Sequence, residues 1–141
     1  VKTPILIARG VKPLPNGRLD NPKQYPFWDE LKRQLVSEGF IVEELEEMPL
    51  PDLENRIKAS LTVIAVDSFI QHFCWSVGKQ AIVLWGSGDP LIFGHAEHIN
   101  IIKDRGNIRP DPFQFWHDEP CHEAIWVSPD VVVSAVKNLK S

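Results

Sequence analysis

The sequence predicts an α/β domain with a parallel sheet, and three observations carry that prediction. Short apolar runs rich in β-branched residues recur at Pro4–Ala8, Leu61–Val66 and Ala81–Trp85. Runs of this kind, without polar alternation, are those of strands buried on both faces. Stretches with helical spacing lie between them. The segment from Leu61 to Pro90 then reads strand, helix, strand and glycine loop. Such a crossover brings a helix N-terminus and a loop together at the carboxyl edge of the sheet, where ligands of open α/β sheets bind.

Taken in order, Pro4–Ala8 is the first strand. Arg9 to Pro22 comes after it as a loop, because Pro13, Pro15, Asn16, Gly17 and Pro22 forbid regular structure. Leaving the carboxyl end of a strand, this loop is either a cover for a ligand or an untidy surface connection. A helix is expected from about Pro26 to Glu38, with proline in its first turn, Trp28, Leu31 and Leu35 on one face, and Gly39 ending it. Phe40-Ile41-Val42 opens the second strand. The acidic cluster Glu43, Glu44, Glu46 and Glu47 comes next. A carboxylate there can accept hydrogen bonds from ribose hydroxyls, or the cluster is a solvated edge. Pro49 and Pro51 precede a short helix, Asp52 to Ala59, with Leu53 and Ile57 inward.

In the central unit, Asp67-Ser68 supplies two helix N-cap residue types after the Leu61–Val66 strand. Ile70, Phe73, Cys74 and Val77 form one apolar helical face, and Gly78 is a C′ stop. The N–H groups and dipole of this helix favour an anion, most obviously a phosphate. Ala81–Trp85 is the next strand, closed by Gly86-Ser87-Gly88-Asp89-Pro90. Ile99, Ile101 and Ile102 suggest a short edge strand, and Gly106 to Pro120 is a proline-rich loop. Ser128-Pro129-Asp130 opens a last helix in which Val132, Val136 and Leu139 share a face.

At 141 residues the chain is expected to be a single domain, 1–141. A net charge of -4 announces no basic face, which argues against a nucleic-acid partner. No apolar run is long enough to span a bilayer, and no signal-peptide pattern is present. Two unpatterned cysteines, Cys74 and Cys121, point to free thiols in a reducing compartment, hence a cytoplasmic location.

Two motif blocks carry a family resemblance. Asp67-Ser68-x-x-x-His72, with the helix running to Gly78-Lys79, and then Leu84-Trp85-Gly86-Ser87-Gly88-Asp89-Pro90, resemble the donor-binding half of family 9 glycosyltransferases. That family includes the ADP-heptose:lipopolysaccharide heptosyltransferases. Its pattern is roughly D-[ST]-G-x-x-H, an alanine-rich helix, and L-[FW]-G-x-[ST]-D-P. Lys23-x-Tyr25-Pro26 is similar to the family's K-x-[WY]-P, whose lysine contacts donor phosphates. Phe93-Gly94-His95 and the last helix also resemble it, so the likeness runs unevenly from about Lys23 to Leu139. The family's glycine after Asp-Ser is Phe69 here. Its ring either turns into the protein beside Phe73 or covers the N–H groups that would meet a phosphate.

The resemblance implies a Rossmann-like three-layer domain with a parallel sheet of about five strands, like the C-terminal half of a GT-B glycosyltransferase. It implies a nucleotide-diphosphate-sugar as ligand, with no separate cofactor. Lys23, Asp67, Ser68, His72, Gly86, Ser87, Gly88 and Asp89 would bind its diphosphate. Departing diphosphate is stabilised in that family by helix dipole and lysine rather than by metal. The acceptor and the catalytic base belong to the family's other half, so no catalytic residue is assigned. Alone, the domain is expected to bind rather than turn over, with an acceptor-domain subunit or a homodimer as partner. The alternatives are a stand-alone nucleotide-binding module and a degenerate interaction scaffold plugged by Phe69.

Other chemistry has weaker support. His95 with His98, or His117 with Cys121 and His122, lacks strict zinc-ligand spacing, and no metal is expected. Adjacent Cys121 and His122 make a poor nucleophilic pair. Gly86-x-Gly88 is neither a Walker loop nor a dinucleotide fingerprint. Trp85, Trp116 and Trp126 either stack on a base or fill the core.

Overall fold

The apolar runs form strands because each residue finds a layer to pack on, whichever way it points. A computed structural model describes residues 3–9, 21–111, 113, 119 and 121–139. The five strands are β1 (Ile5–Ala8), β2 (Val42–Glu44), β3 (Thr62–Val66), β4 (Ile82–Trp85) and β5 (Ile99–Ile102). They lie parallel in the order β2-β1-β3-β4-β5. Ile5, Ile7, Ile64, Val66, Ile82 and Leu84 face one layer, formed by α1 (Trp28–Ser37) and α5 (Pro129–Asn138). Leu6, Val63, Ala65, Val83 and Trp85 face the other, formed by α2 (Leu50–Lys58) and α3 (Phe69–Ser76). The expected three-layer α/β fold with a five-stranded parallel sheet is what forms.

The strand order reverses between β1 and β3: the chain leaves β1 toward β2 on one side and continues from β3 toward β4 on the other. Connections that depart in opposite directions leave a crevice at the carboxyl ends of the two adjacent strands. Residues just after β1 and β3 therefore face one another across it.

Two glycines end helices as the sequence predicts. Gly39 (φ 93°) and Gly78 (φ 79°) hold the left-handed conformation. After α3, Gly78 N–H donates to Trp75 O and Lys79 N–H to Cys74 O at 2.8 Å, the double closure of a Schellman turn. After α1, Phe40 N–H closes back on Leu35 O in the same way. Phe40 is thereby spent on the helix end. The second strand accordingly begins later than expected, at Val42, and takes Glu43 and Glu44 into its ladder.

Two further differences are local. The proline after Asp89 opens a single helical turn, α4 (Pro90–Phe93), because Asp89 Oδ1 accepts the Leu91 N–H at 2.9 Å. Ser68 occupies the N-cap of α3, but its side chain does not cap; Oγ donates to Val66 O instead. Most of the Arg9–Pro22 loop, and Trp116 and His117, lie outside the described residues.

Candidate functional site

Asn21-Pro22-Lys23-Gln24 is a turn built by its own residue types. Asn21 Oδ1 accepts the Lys23 N–H at 2.9 Å, and Gln24 N–H closes on Asn21 O, with proline at the position where its fixed φ suits the turn. Tyr25, 1% exposed, anchors the C-terminal end of this turn to the core. Its hydroxyl donates to Val127 O at 2.8 Å, and its ring meets Trp28 and Trp126 edge-on. The anchored turn sends Lys23 to the sheet edge, where Nζ lies 3.2 Å from Asp67 Oδ2. Asp67 directly succeeds the last residue of β3. Its other oxygen accepts a hydrogen bond from Gln71 Nε2 at 3.0 Å. Lys23 and Asp67, far apart in sequence, thus meet at the switch point.

The glycine loop after β4 lies alongside. A Cβ at Gly88 would stand 3.7 Å from Asp67 Oδ2 and 3.5 Å from the Trp85 ring. That is ordinary contact, so nothing in the protein's own packing demands glycine at 88. Gly86 differs: a Cβ there would meet the Trp126 ring at 2.9 Å, so this glycine admits the indole. Ser87 and Asp89 are engaged with arginines, Ser87 Oγ with Arg109 Nη2 at 2.9 Å and Asp89 with Arg105 at 3.3 Å.

His72 points elsewhere among the described contacts. Its Nδ1 lies 2.8 Å from His95 Nε2, and the His95 ring stacks on Trp75. Phe69 is 58% exposed and stacks on Phe73, centroids 5.5 Å apart. The ring therefore rests along the helix flank beside Phe73 without becoming buried. Trp85 and Trp126 are buried and belong to the core. Of the acidic cluster, Glu44 is clamped by Arg9, Nε at 2.9 Å and Nη2 at 2.6 Å, and its carboxyl is held below the ordinary range by that hydrogen bonding. Glu43 pairs with Arg56.

Among the described residues, which leave out His117, no group of three or more candidate metal ligands occurs. His98 is a core cross-link. Ala81 N–H donates to its Nδ1 at 3.0 Å, so the proton sits on Nε2, which donates to Gln71 O at 2.7 Å. Burial lowers its pKa, and a second proton on Nδ1 would face the Ala81 N–H. Because the folded form resists protonation and the unfolded form accepts it near pH 6.5, stability is full above that value. It falls as pH drops toward the lower folded pKa, at up to about 1.4 kcal/mol per pH unit. Urea titrations between about pH 7.5 and 5 should show this slope, and His98→Gln should flatten it. Cys74, pushed up to about 12 by burial, is an inert thiol.

Gln71, Arg9, Arg105, Arg109 and Glu119 were not indicated by sequence. Gln71 alone carried a signal: an amide four residues, one helical turn, after Asp67.

Solved heptosyltransferases share this architecture. The dodecameric iron-containing heptosyltransferase TibC, in complex with ADP-D-beta-D-heptose, matches with a TM-score of 0.70 at 13% identity, over 99% of this chain and 46% of that one. TibC from enterotoxigenic E. coli H10407 gives 0.69 at 14% identity, over 99% and 45%. E. coli heptosyltransferase WaaC with ADP gives 0.64 at 16% identity, over 98% and 44%. The fold is heptosyltransferase-like. The chain spans less than half the length of these structures, and at such identities the likeness establishes the fold. No protein-family model and no curated protein sequence matches the chain. Among the described residues no helix is long and apolar enough to cross a membrane.

Proposed function

We infer that this domain binds a nucleoside diphosphate, as the donor half of a heptosyltransferase-like glycosyltransferase. The observation that carries the reading is the meeting of Lys23 with Asp67 beside Gly88, at the β1–β3 switch point of a heptosyltransferase-like fold. A lysine there supplies positive charge for a diphosphate, and the start of α3 adds its dipole. The motif residues Ser68, Gly86, Ser87 and Asp89 frame the same edge. His72 would reach the ligand only by parting from His95.

In this reading the ligand is a nucleotide-sugar, met in a reducing, cytoplasmic setting. Transfer needs an acceptor-binding partner domain or a second copy, and the domain alone turns nothing over. Lys23 must exchange Asp67 for phosphate oxygens, and a Phe69 ring that stays stacked on Phe73 is compatible with that exchange.

The test is titration calorimetry with ADP, UDP and GDP. Lys23→Ala should weaken diphosphate binding by about 1–3 kcal/mol, the range of a charge-assisted hydrogen bond. Equal affinity of mutant and parent would remove Lys23 from the site. No response to any nucleotide would favour an interaction scaffold instead.

A further inference from the structure

Arg109 is a buried cation that the nucleotide reading leaves unused. Its side chain is 5% exposed, and its backbone N–H is tied to Ser87 O at 2.9 Å. The guanidinium presents Nε to Glu119 Oε2 at 2.7 Å and Nη2 to Glu119 Oε1 at 3.3 Å and to Ser87 Oγ at 2.9 Å. Ser87 Oγ in turn donates to Glu119 Oε1 at 2.9 Å. One carboxylate therefore accepts from both prongs of an arginine fork and from a hydroxyl. These are the donors that recognise a phosphate group, whose oxygens match the planar fork as a carboxylate does.

The exposure is asymmetric. The arginine is rooted in the protein, whereas the Glu119 side chain is 19% exposed and stands on the solvent side of the pair. Ser87 adjoins Gly88, which lies against Asp67. The fork and hydroxyl thus continue the Lys23–Asp67 site along the same loop.

We propose that Arg109 and Ser87 form a second oxyanion position on the Gly86–Asp89 loop, occupied by the Glu119 carboxylate until a phosphate group of the ligand displaces it. The inference rests on the nucleotide-binding reading and deepens it: Glu119 is a built-in competitor that sets the apparent affinity for a diphosphate. A ligand that must first expel a resident group binds more weakly by the cost of the expulsion. Removing the carboxylate also leaves a buried guanidinium that an incoming anion neutralises.

The experiment compares inorganic pyrophosphate binding to the intact chain and to Glu119→Gln by calorimetry at about pH 7. The glutamine variant should bind about tenfold more tightly. Should that variant fail to fold, Glu119→Asp keeps the charge but withdraws the carboxylate by one methylene, and about threefold tightening is expected. Binding by the variant alone also supports the inference and means that the intact site rests closed. Equal or weaker pyrophosphate binding by the variant, with ADP binding by the intact chain still sensitive to Lys23→Ala, overturns the inference and leaves the nucleotide reading standing. Binding by neither protein, with no nucleotide response, overturns both.

Discussion

Trp85→Ala should lower the unfolding free energy by about 3–5 kcal/mol, the usual cost of emptying a large aromatic site in a core. Trp85 is the last residue of β4 and is 1% exposed. Its indole N–H donates to Asn100 Oδ1 at 3.0 Å, and Asn100 Nδ2 donates to His95 O at 2.9 Å. The ring also fills the space that Gly94 and Gly88 leave open, with their Cβ positions 2.9 and 3.5 Å from it. Truncation therefore removes the floor of the Gly86–Asp89 loop and strips Asn100 of a partner. Urea unfolding measures the stability loss. Trp85→Phe, which keeps most of the packing and loses the hydrogen bond, should cost about 1–3 kcal/mol. A similar cost for both variants would mean that the hydrogen bond, rather than the ring, holds this corner.

Arg109→Ala should cost about 3 kcal/mol, near the lower end for breaking a buried ion pair, because the glutamate left behind keeps some solvent. Burial pushes the Glu119 carboxyl up, but the hydrogen bonds from Arg109 and Ser87 outweigh it and hold the group below the ordinary carboxylate range. With the folded pKa depressed, the pair's contribution is present above the unfolded value of about 4.3 and is lost as pH falls through the folded one. The Arg109→Ala variant should therefore lose stability less steeply on the acid side than the parent. A double-mutant cycle with Glu119→Gln isolates the coupling. The double variant should be less destabilised than the sum of the singles, since no buried charge is left unpaired. Simple additivity would show that the pair is not coupled.

The sequence by itself determined the elements and their layers. β1 and β4 are apolar throughout, and β3 but for Thr62, which a strand covered on both faces tolerates. Gly39 and Gly78 end their helices through a conformation that glycine adopts without strain. These signals are local: they depend on neighbours within a turn or a pleat. The motif blocks around Asp67 and Gly86 were legible for the same reason, each being a short contiguous run at the end of a strand. Tertiary structure decided which of their residues meet. Nothing local tells Lys23 that Asp67 is its neighbour; the parallel pairing of β1 with β3 does that. Arg109 and Glu119 stand on a proline-rich stretch without periodicity, so their meeting at Ser87 left no trace in the pattern. His72 pairs with His95 on the chain after β4, a partner that no local pattern names. Side-chain partnership across sequence distance is set by strand order and loop closure, which residue-by-residue preferences do not encode.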